Sequence, residues 1–127
     1  VACIVLDLNN LKHVNDTMGH SIGDQLIMNF ARIIRNVVPA KDFVGRYGGD
    51  EFVVFVQEAS RSETEEILRN LQNEVERFNC YGKNIKISYA SGWALSSDYE
   101  DCTLRTLFNK ADQYMYEDKQ RKKGLRR

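Results

Sequence analysis

Proline is almost missing from this chain of 127 residues, Pro39 being its single example. That excludes a Pro-rich linker or recognition arm. Cysteine is also sparse. Cys3, Cys80 and Cys102 are odd in number and widely separated. They offer no metal-type pair and no disulfide framework, and read as buried or idle thiols in a reducing compartment. The two histidines, His13 and His20, have no partner at metal-ligand spacing and read as structural, His20 as an organiser of its loop. Neither charge sign dominates: 18 Lys and Arg stand against 18 Asp and Glu. Whole-chain attraction to nucleic acid or to an anionic membrane is thereby excluded. No apolar run is long enough to span a bilayer, and nothing at the N-terminus reads as a signal peptide.

What is present suits one domain. The hydrophobic share of 43% is enough for a core. Val1 opens directly into the run VACIVLDL, so residues 1–127 read as a single domain cut at its N-terminal side from a larger protein. Residues 1–8, short, apolar and β-branched, predict a buried strand carrying Asp7 at its end. A short helix is expected over 11–18, stopped by Gly19. A stronger one runs over 22–38, with Ile22, Leu26, Ile27, Phe30, Ile34, Val37 and Val38 on one stripe and Pro39 after it. Residues 42–47 and 51–57 predict two strands joined by Gly48-Gly49-Asp50, glycines that permit positive φ in a hairpin. Ser62-Glu63-Thr64-Glu65 has the form of a capping box and predicts the start of a third long helix. Alternating Ile85, Ile87 and Tyr89 predict a strand reaching Gly92, and a last helix is expected over about 103–122. The order β-α-α-β-β-α-β-α contains the β-α-β-β-α-β split pattern. It implies an α+β, ferredoxin-like, mostly antiparallel sheet with helices packed on one face.

Three features could carry chemistry. In the split pattern the first strand neighbours the hairpin, so Asp7 and Asp50 can meet at one rim of the sheet. Two hard carboxylates there would suit magnesium while leaving room for water and phosphates. The ordinary alternative is that Asp7 caps a helix and Asp50 is a turn residue, although glycines beside Asp50 also let a ligand approach the backbone. Second, residues 10–24 are dense in short polar groups and glycine. Asn15 and Asp24 could read a purine edge, and a carboxylate accepting from N1–H and N2–H favours guanine. Taken alone, Asp24 would more often be a helix N-terminal carboxylate. Third, residues 119–127 are basic. A solvated tail is the usual reading; the functional one has Lys119 and Lys123, one turn apart, reaching a triphosphate.

Arg46-Tyr47-Gly48-Gly49-Asp50-Glu51-Phe52 contains the GGDEF signature intact. Asp7, Lys12, Asn15-Asp16, Gly19-His20 and Gly23-Asp24 resemble that family's upstream D-x-D-x-F-K-x-x-N-D-x-x-G-H-x-x-G-D stretch. Ala111-Asp112 through Tyr116 and Lys119 resemble its A-D-x-A-L-Y-x-A-K helix, and Gly92 the glycine of its S-x-G strand. The resemblance to GGDEF diguanylate cyclases covers essentially the whole chain. It implies a nucleotide-cyclase-type sheet, one GTP per subunit, and a homodimer that makes cyclic di-GMP. Magnesium, with manganese as second candidate, would lie between Asp7, Asp50 and the Leu8 carbonyl. Asn10 and Leu11 would offer backbone N–H groups to phosphates, and Gly48 and Gly49 would admit the substrate. Lys12, assisted by Lys119 and Lys123, would stabilise phosphate charge. Asn15 and Asp24 would hold guanine, and Asp50 or Glu51 would assist deprotonation of the 3′-hydroxyl. The implied setting is the cytoplasm, as a free protein or the cytoplasmic part of a membrane-anchored sensor, with sensory or phosphodiesterase domains attached and no nucleic-acid or membrane partner.

Several positions depart from the pattern. Asn9 replaces the second aspartate of D-x-D, and Asn10-Leu11 a more aromatic pair. Pro39-Ala40-Lys41-Asp42 stands where the product-inhibition motif R-x-x-D would be, so no feedback site is expected there. Lys122-Lys123-Gly124 replaces G-R-N. The competing expectations are a catalytically silent GTP-binding module that regulates an attached domain, a cyclic di-GMP receptor, which the absent arginine disfavours, and a nucleic-acid-binding ferredoxin-like domain. The last ranks lowest, because FVVFV carries no basic residue.

Overall fold

Six apolar positions, interrupted only by Asp7, make the seven-residue β1 (Ala2–Leu8), and every residue of it is buried. A strand apolar at each position must be covered on both faces and sit inside a sheet. The computed structural model describes residues 1–81 and 85–125, with side chains as far as residue 122. After β1 come α1 (Leu11–Met18), α2 (His20–Val37), β2 (Phe43–Arg46), β3 (Glu51–Val56), α3 (Arg61–Tyr81), β4 (Tyr89–Leu95) and α4 (Leu104–Leu125). The strands lie in the order β2-β3-β1-β4, with every pairing antiparallel. This is the α+β split pattern expected from the sequence.

The core has two layers. Ile4, Leu6 and Leu8 of β1, with Phe52 and Val54 of β3, face Leu26, Phe30 and Ile34 of α2 and Ile67, Leu71 and Val75 of α3. Cys3, Val5 and Val53 point the other way, onto Leu107, Ala111 and Met115 of α4. Helices therefore cover both faces, not one. The period-two alternation of β1 sends its odd-numbered apolar residues to a second face that only a further helix can shield. Each fully buried large side chain contributes roughly 1.5–3 kcal/mol of transfer free energy. Close contact of α4 with β4 depends on Gly92. A Cβ there would lie 2.1 Å from the Met115 nitrogen and 2.3 Å from the Ala111 oxygen.

Local signals moved in three places. Ser60, not Ser62, caps α3: its hydroxyl accepts from the Glu63 N–H at 3.1 Å and donates to the Glu63 carboxylate at 3.0 Å. The box is Ser60-x-x-Glu63, shifted two residues upstream. Ile85 and Ile87 precede the strand, since β4 begins at Tyr89. There Asn79 holds the segment, its side chain bonding both the N–H and the C=O of Ile87 in place of a strand partner. Among the described glycines only Gly19 has positive φ, at 92°. It separates α1 from α2, whereas Gly48 and Gly49 do not use the left-handed region.

Candidate functional site

β1 brings Asp7 to the rim and buries it to 3% exposure. Opposite it in register is Glu51 of β3, and the Leu8 N–H donates to the Asp50 carbonyl at 2.9 Å. The Asp50 carboxyl stands beside that of Asp7. Burial, and then the neighbouring Asp50 charge, push the Asp7 carboxyl above its ordinary value against the opposing pull of Lys119. Glu51 is also raised, first by burial and then by Asp7, Asp112 and Asp50. The two acids expected to converge do so.

One oxygen of Asp7 accepts from Lys119 Nζ at 2.7 Å. The other, Oδ1, is buried without a hydrogen-bond partner. A buried orphan carboxylate oxygen beside a second carboxylate is a donor set that fits a hard divalent cation. Among the described residues no group of three or more His, Cys, Asp and Glu side chains gathers as a metal cluster. A cation here would thus draw on two carboxylates, main-chain oxygen such as that of Leu8, and its other ligands from substrate or water. Asp7 does not occupy the cap position of α1, which falls at Asn10, and the Asp50 carboxyl interacts with that of Asp7.

The turn over this rim is held from below. Arg46 donates to the Gly48 carbonyl at 3.1 Å and to the Gly49 carbonyl at 2.7 Å. A Cβ on Gly48 or Gly49 would meet nothing within 4 Å. The glycines therefore leave open space above the backbone, which is room for a ligand.

A cavity of about 300 Å³ opens beside Asp50, walled by residues 8–12, Lys119 and Lys122. Asn10 turns into α1 with φ of 65° and no side-chain cap. The N–H groups of Leu11 and Lys12 belong to the first turn, where no intrahelical acceptor exists. Amides at a helix start suit an anion. The cavity lies at the small end of ligand-pocket sizes, so it suits the phosphates of a nucleotide whose base lies outside. Larger grooves, of about 590 Å³ between α3 and β4 and about 560 Å³ beyond Trp93, contain neither Asp7 nor Asp50.

Asn15 and Gly23 lie against each other: a Cβ on Gly23 would fall 1.8 Å from the Asn15 amide oxygen. That contact joins Asn15 of α1 to Gly23, the residue before Asp24 in α2. Asp24 is exposed and follows four residues of α2, past the first turn. A helix-terminal charge role does not describe it. Asn9 uses its side chain on the Ser88 hydroxyl, at 3.1 Å. The Lys123 side chain lies outside the described residues. Lys122, which sequence reasoning passed over, is on the cavity wall; its spacing of three from Lys119 was the available signal.

The diguanylate cyclase GGDEF-domain family matches residues 1–124. Diguanylate cyclase DosC of Escherichia coli is 31% identical over 124 residues, covering 95% of this chain. The signaling protein YkoW of Bacillus subtilis is 34% identical over 122 residues, 94% of this chain. The chain spans only 26% of DosC and 15% of YkoW. A GGDEF domain of Pseudomonas aeruginosa (TpbB or YfiN) aligns with TM-score 0.84 at 32% identity, covering 94% of this chain and 71% of that one. The GGDEF domain of Caulobacter crescentus DgcB, solved in complex with c-di-GMP, aligns with TM-score 0.79 at 29% identity, covering 94% and 71%. No helix among the described residues is long and apolar enough to cross a membrane. With the signature on the β2–β3 turn and the same fold in these relatives, the chain belongs to the GGDEF diguanylate cyclase family.

Proposed function

We propose that this domain condenses two molecules of GTP into cyclic di-GMP, releasing two pyrophosphates, with magnesium as cofactor and two copies of the chain facing each other. The observation that carries the reading is the buried, unpartnered Asp7 oxygen beside Asp50, under an open Gly-Gly turn and next to a start of α1 that has no side-chain cap. Asp7, Asp50 and the Leu8 carbonyl would hold the magnesium ion. Bound there, it supplies Lewis-acid polarisation of phosphate. The Leu11 and Lys12 amides and the Lys12 and Lys119 side chains bind the phosphates and stabilise charge that builds as pyrophosphate departs. Asn15 and Asp24 take the guanine edge, the carboxylate accepting from N1–H and N2–H. Each 3′-hydroxyl oxygen attacks the α-phosphorus of the other nucleotide, and the P–O bond to pyrophosphate breaks. Two bound substrates must meet, so each subunit supplies one. Glu51 serves as the proton acceptor: burial and its acidic neighbours raise its carboxyl, bringing its basicity towards that of a general base at neutral pH.

Incubation of the protein with GTP and magnesium, followed by chromatography and mass spectrometry, tests this directly. Cyclic di-GMP should form, and Asp50→Ala should reduce its rate by about 100-fold or more. GTP binding with no cyclic product from the unaltered protein overturns catalysis and favours a silent binding module.

A further inference from the structure

The geometry points to Lys122 as an additional phosphate-binding residue of this site, contacting the terminal phosphates of the triphosphate. It deepens the reading above and rests on it. Lys122 lies three residues after Lys119 in α4, so both face the cavity whose other wall is Asp50 and residues 8–12. Lys119 is already engaged by Asp7. On the cavity wall Asp50 is the acid facing Lys12, Lys119 and Lys122. With Lys119 paired to Asp7 behind the wall and Asp50 offsetting Lys12, Lys122 adds positive charge that can meet a polyanion.

Lys122 is held at the cavity wall yet keeps a donor to spare. Its ammonium donates to the Tyr89 carbonyl, pairs with Asp118 at 3.1 Å and stands 4.8 Å over the Tyr89 ring. An ammonium has three donors, so one remains after the carbonyl and Asp118 are served. Asp118 does not depend on Lys122. It also accepts from the Ser91 N–H at 2.9 Å and pairs with Arg121. Burial opposes its charge, yet the Ser91 N–H, Arg121 and Lys122 together hold its carboxyl below the ordinary value. Lys122 can therefore turn towards phosphate without leaving a bare buried carboxylate behind. Its side chain is 40% exposed, so the swing needs no opening of the core. Asp118 and Lys122 stand where the family pattern quoted above has alanine and glycine, so this cation belongs to this chain rather than to the general motif.

The test compares equilibrium binding of a non-hydrolysable GTP analogue and of GMP, with magnesium, to the unaltered protein and to Lys122→Met, Lys122→Gln and Lys122→Arg. Removing one charge-assisted contact should weaken binding of the triphosphate by about tenfold. GMP, which lacks the terminal phosphates, should bind within about twofold of the unaltered protein on the same argument. Lys122→Arg should retain most of the triphosphate affinity. Lys122→Gln keeps an N–H donor without the charge, and it decides the matter if Lys122→Met melts early. Equal triphosphate affinity in Lys122→Gln and the unaltered protein overturns the assignment, as does equal loss of GMP and triphosphate. If the unaltered protein binds no guanine nucleotide, the reading of the whole site fails, and that outcome is distinct from the Lys122 result.

Discussion

Replacing Lys119 with methionine removes the cation hydrogen-bonded to a carboxylate that β1 holds almost out of water. The ammonium is 2.7 Å from Asp7 Oδ2, with the aspartate side chain 4% exposed and the lysine 41%. Deleting one partner of a fully sealed ion pair costs about 3–5 kcal/mol. Water reaches this lysine and screens it, which reduces the expected cost to about 1–3 kcal/mol in metal-free buffer. For a domain of this size that is a fall in Tm of about 4–12 °C. The pH dependence follows from the direction of the Asp7 shift. Burial and Asp50 raise its carboxyl in the folded protein above the usual 3.8, and Lys119 opposes them. A raised folded value means that the folded state binds the proton more tightly. Stability linked to that proton is complete below the unfolded value and is lost as pH rises through the folded one. Without Lys119 the gap widens, so the deficit of Lys119→Met should be largest near pH 8 and shrink towards about pH 5. Magnesium added at the higher pH should restore part of it by giving Asp7 another counter-charge. Calorimetric melts of both proteins at the two pH values, with chelator or magnesium, supply the check. A deficit equal at both values, or one that grows on acidification, refutes the reasoning.

Other substitutions probe the frame around the site. Gly92→Ala would drive a Cβ into main-chain atoms of α4, at 2.1 Å from the Met115 nitrogen, 2.3 Å from the Ala111 oxygen and 2.6 Å from the Tyr114 carbonyl carbon. Backbone cannot swing aside as a side chain does, so the loss should reach about 3 kcal/mol or more by denaturant titration. Ser60→Ala removes the α3 cap and should cost about 1 kcal/mol in the same measurement, whereas Ser62→Ala should cost clearly less. Added cyclic di-GMP should not slow turnover through residues 39–42. Pro39 has no side-chain donor, and Asp42 already accepts from the Gln57 N–H at 3.0 Å. Initial rates in the presence of product test this, and inhibition relieved by changing Lys41 contradicts it.

Period and composition carried most of the fold. β1 is apolar at every position but Asp7, which marks a central strand, and the stripe on α2 and the intact signature left little freedom in element order. What escaped were features decided by tertiary contact. Both Ser60 and Ser62 could open α3, since each is followed three residues later by Glu63 or Glu65; the structure begins the helix at Arg61, which puts Ser60 at the cap. Ile85 and Ile87 alternate like a strand, but Asn79 claims the Ile87 main chain first. The second helical layer was legible in principle, because Cys3, Val5 and Val53 form an odd-numbered apolar face that water would not tolerate. At the site, Asp7 and Asp50 were named from the sequence and lie side by side, while Asn15 packs on Gly23, next to Asp24 in the chain. Lys122 was passed over because in a run of basic residues only helical phase separates a wall cation from a solvated one.

The same phase argument explains why the site sits where it does. Asp7 shares the odd-numbered face of β1 with Cys3 and Val5, so its carboxylate is directed under α4 and Lys119 is the cation that α4 can present to it. A carboxylate at Leu6 or Leu8 would instead enter the layer packed by Phe30 and Leu26, where no described lysine or arginine stands among the core residues. Moving the acid by one residue would thus replace a compensated charge with an uncompensated one, at a cost of several kcal/mol. The end of β1 can carry an acid on one face only, and that face is the one shared by Glu51, Lys119 and the open turn above Asp50.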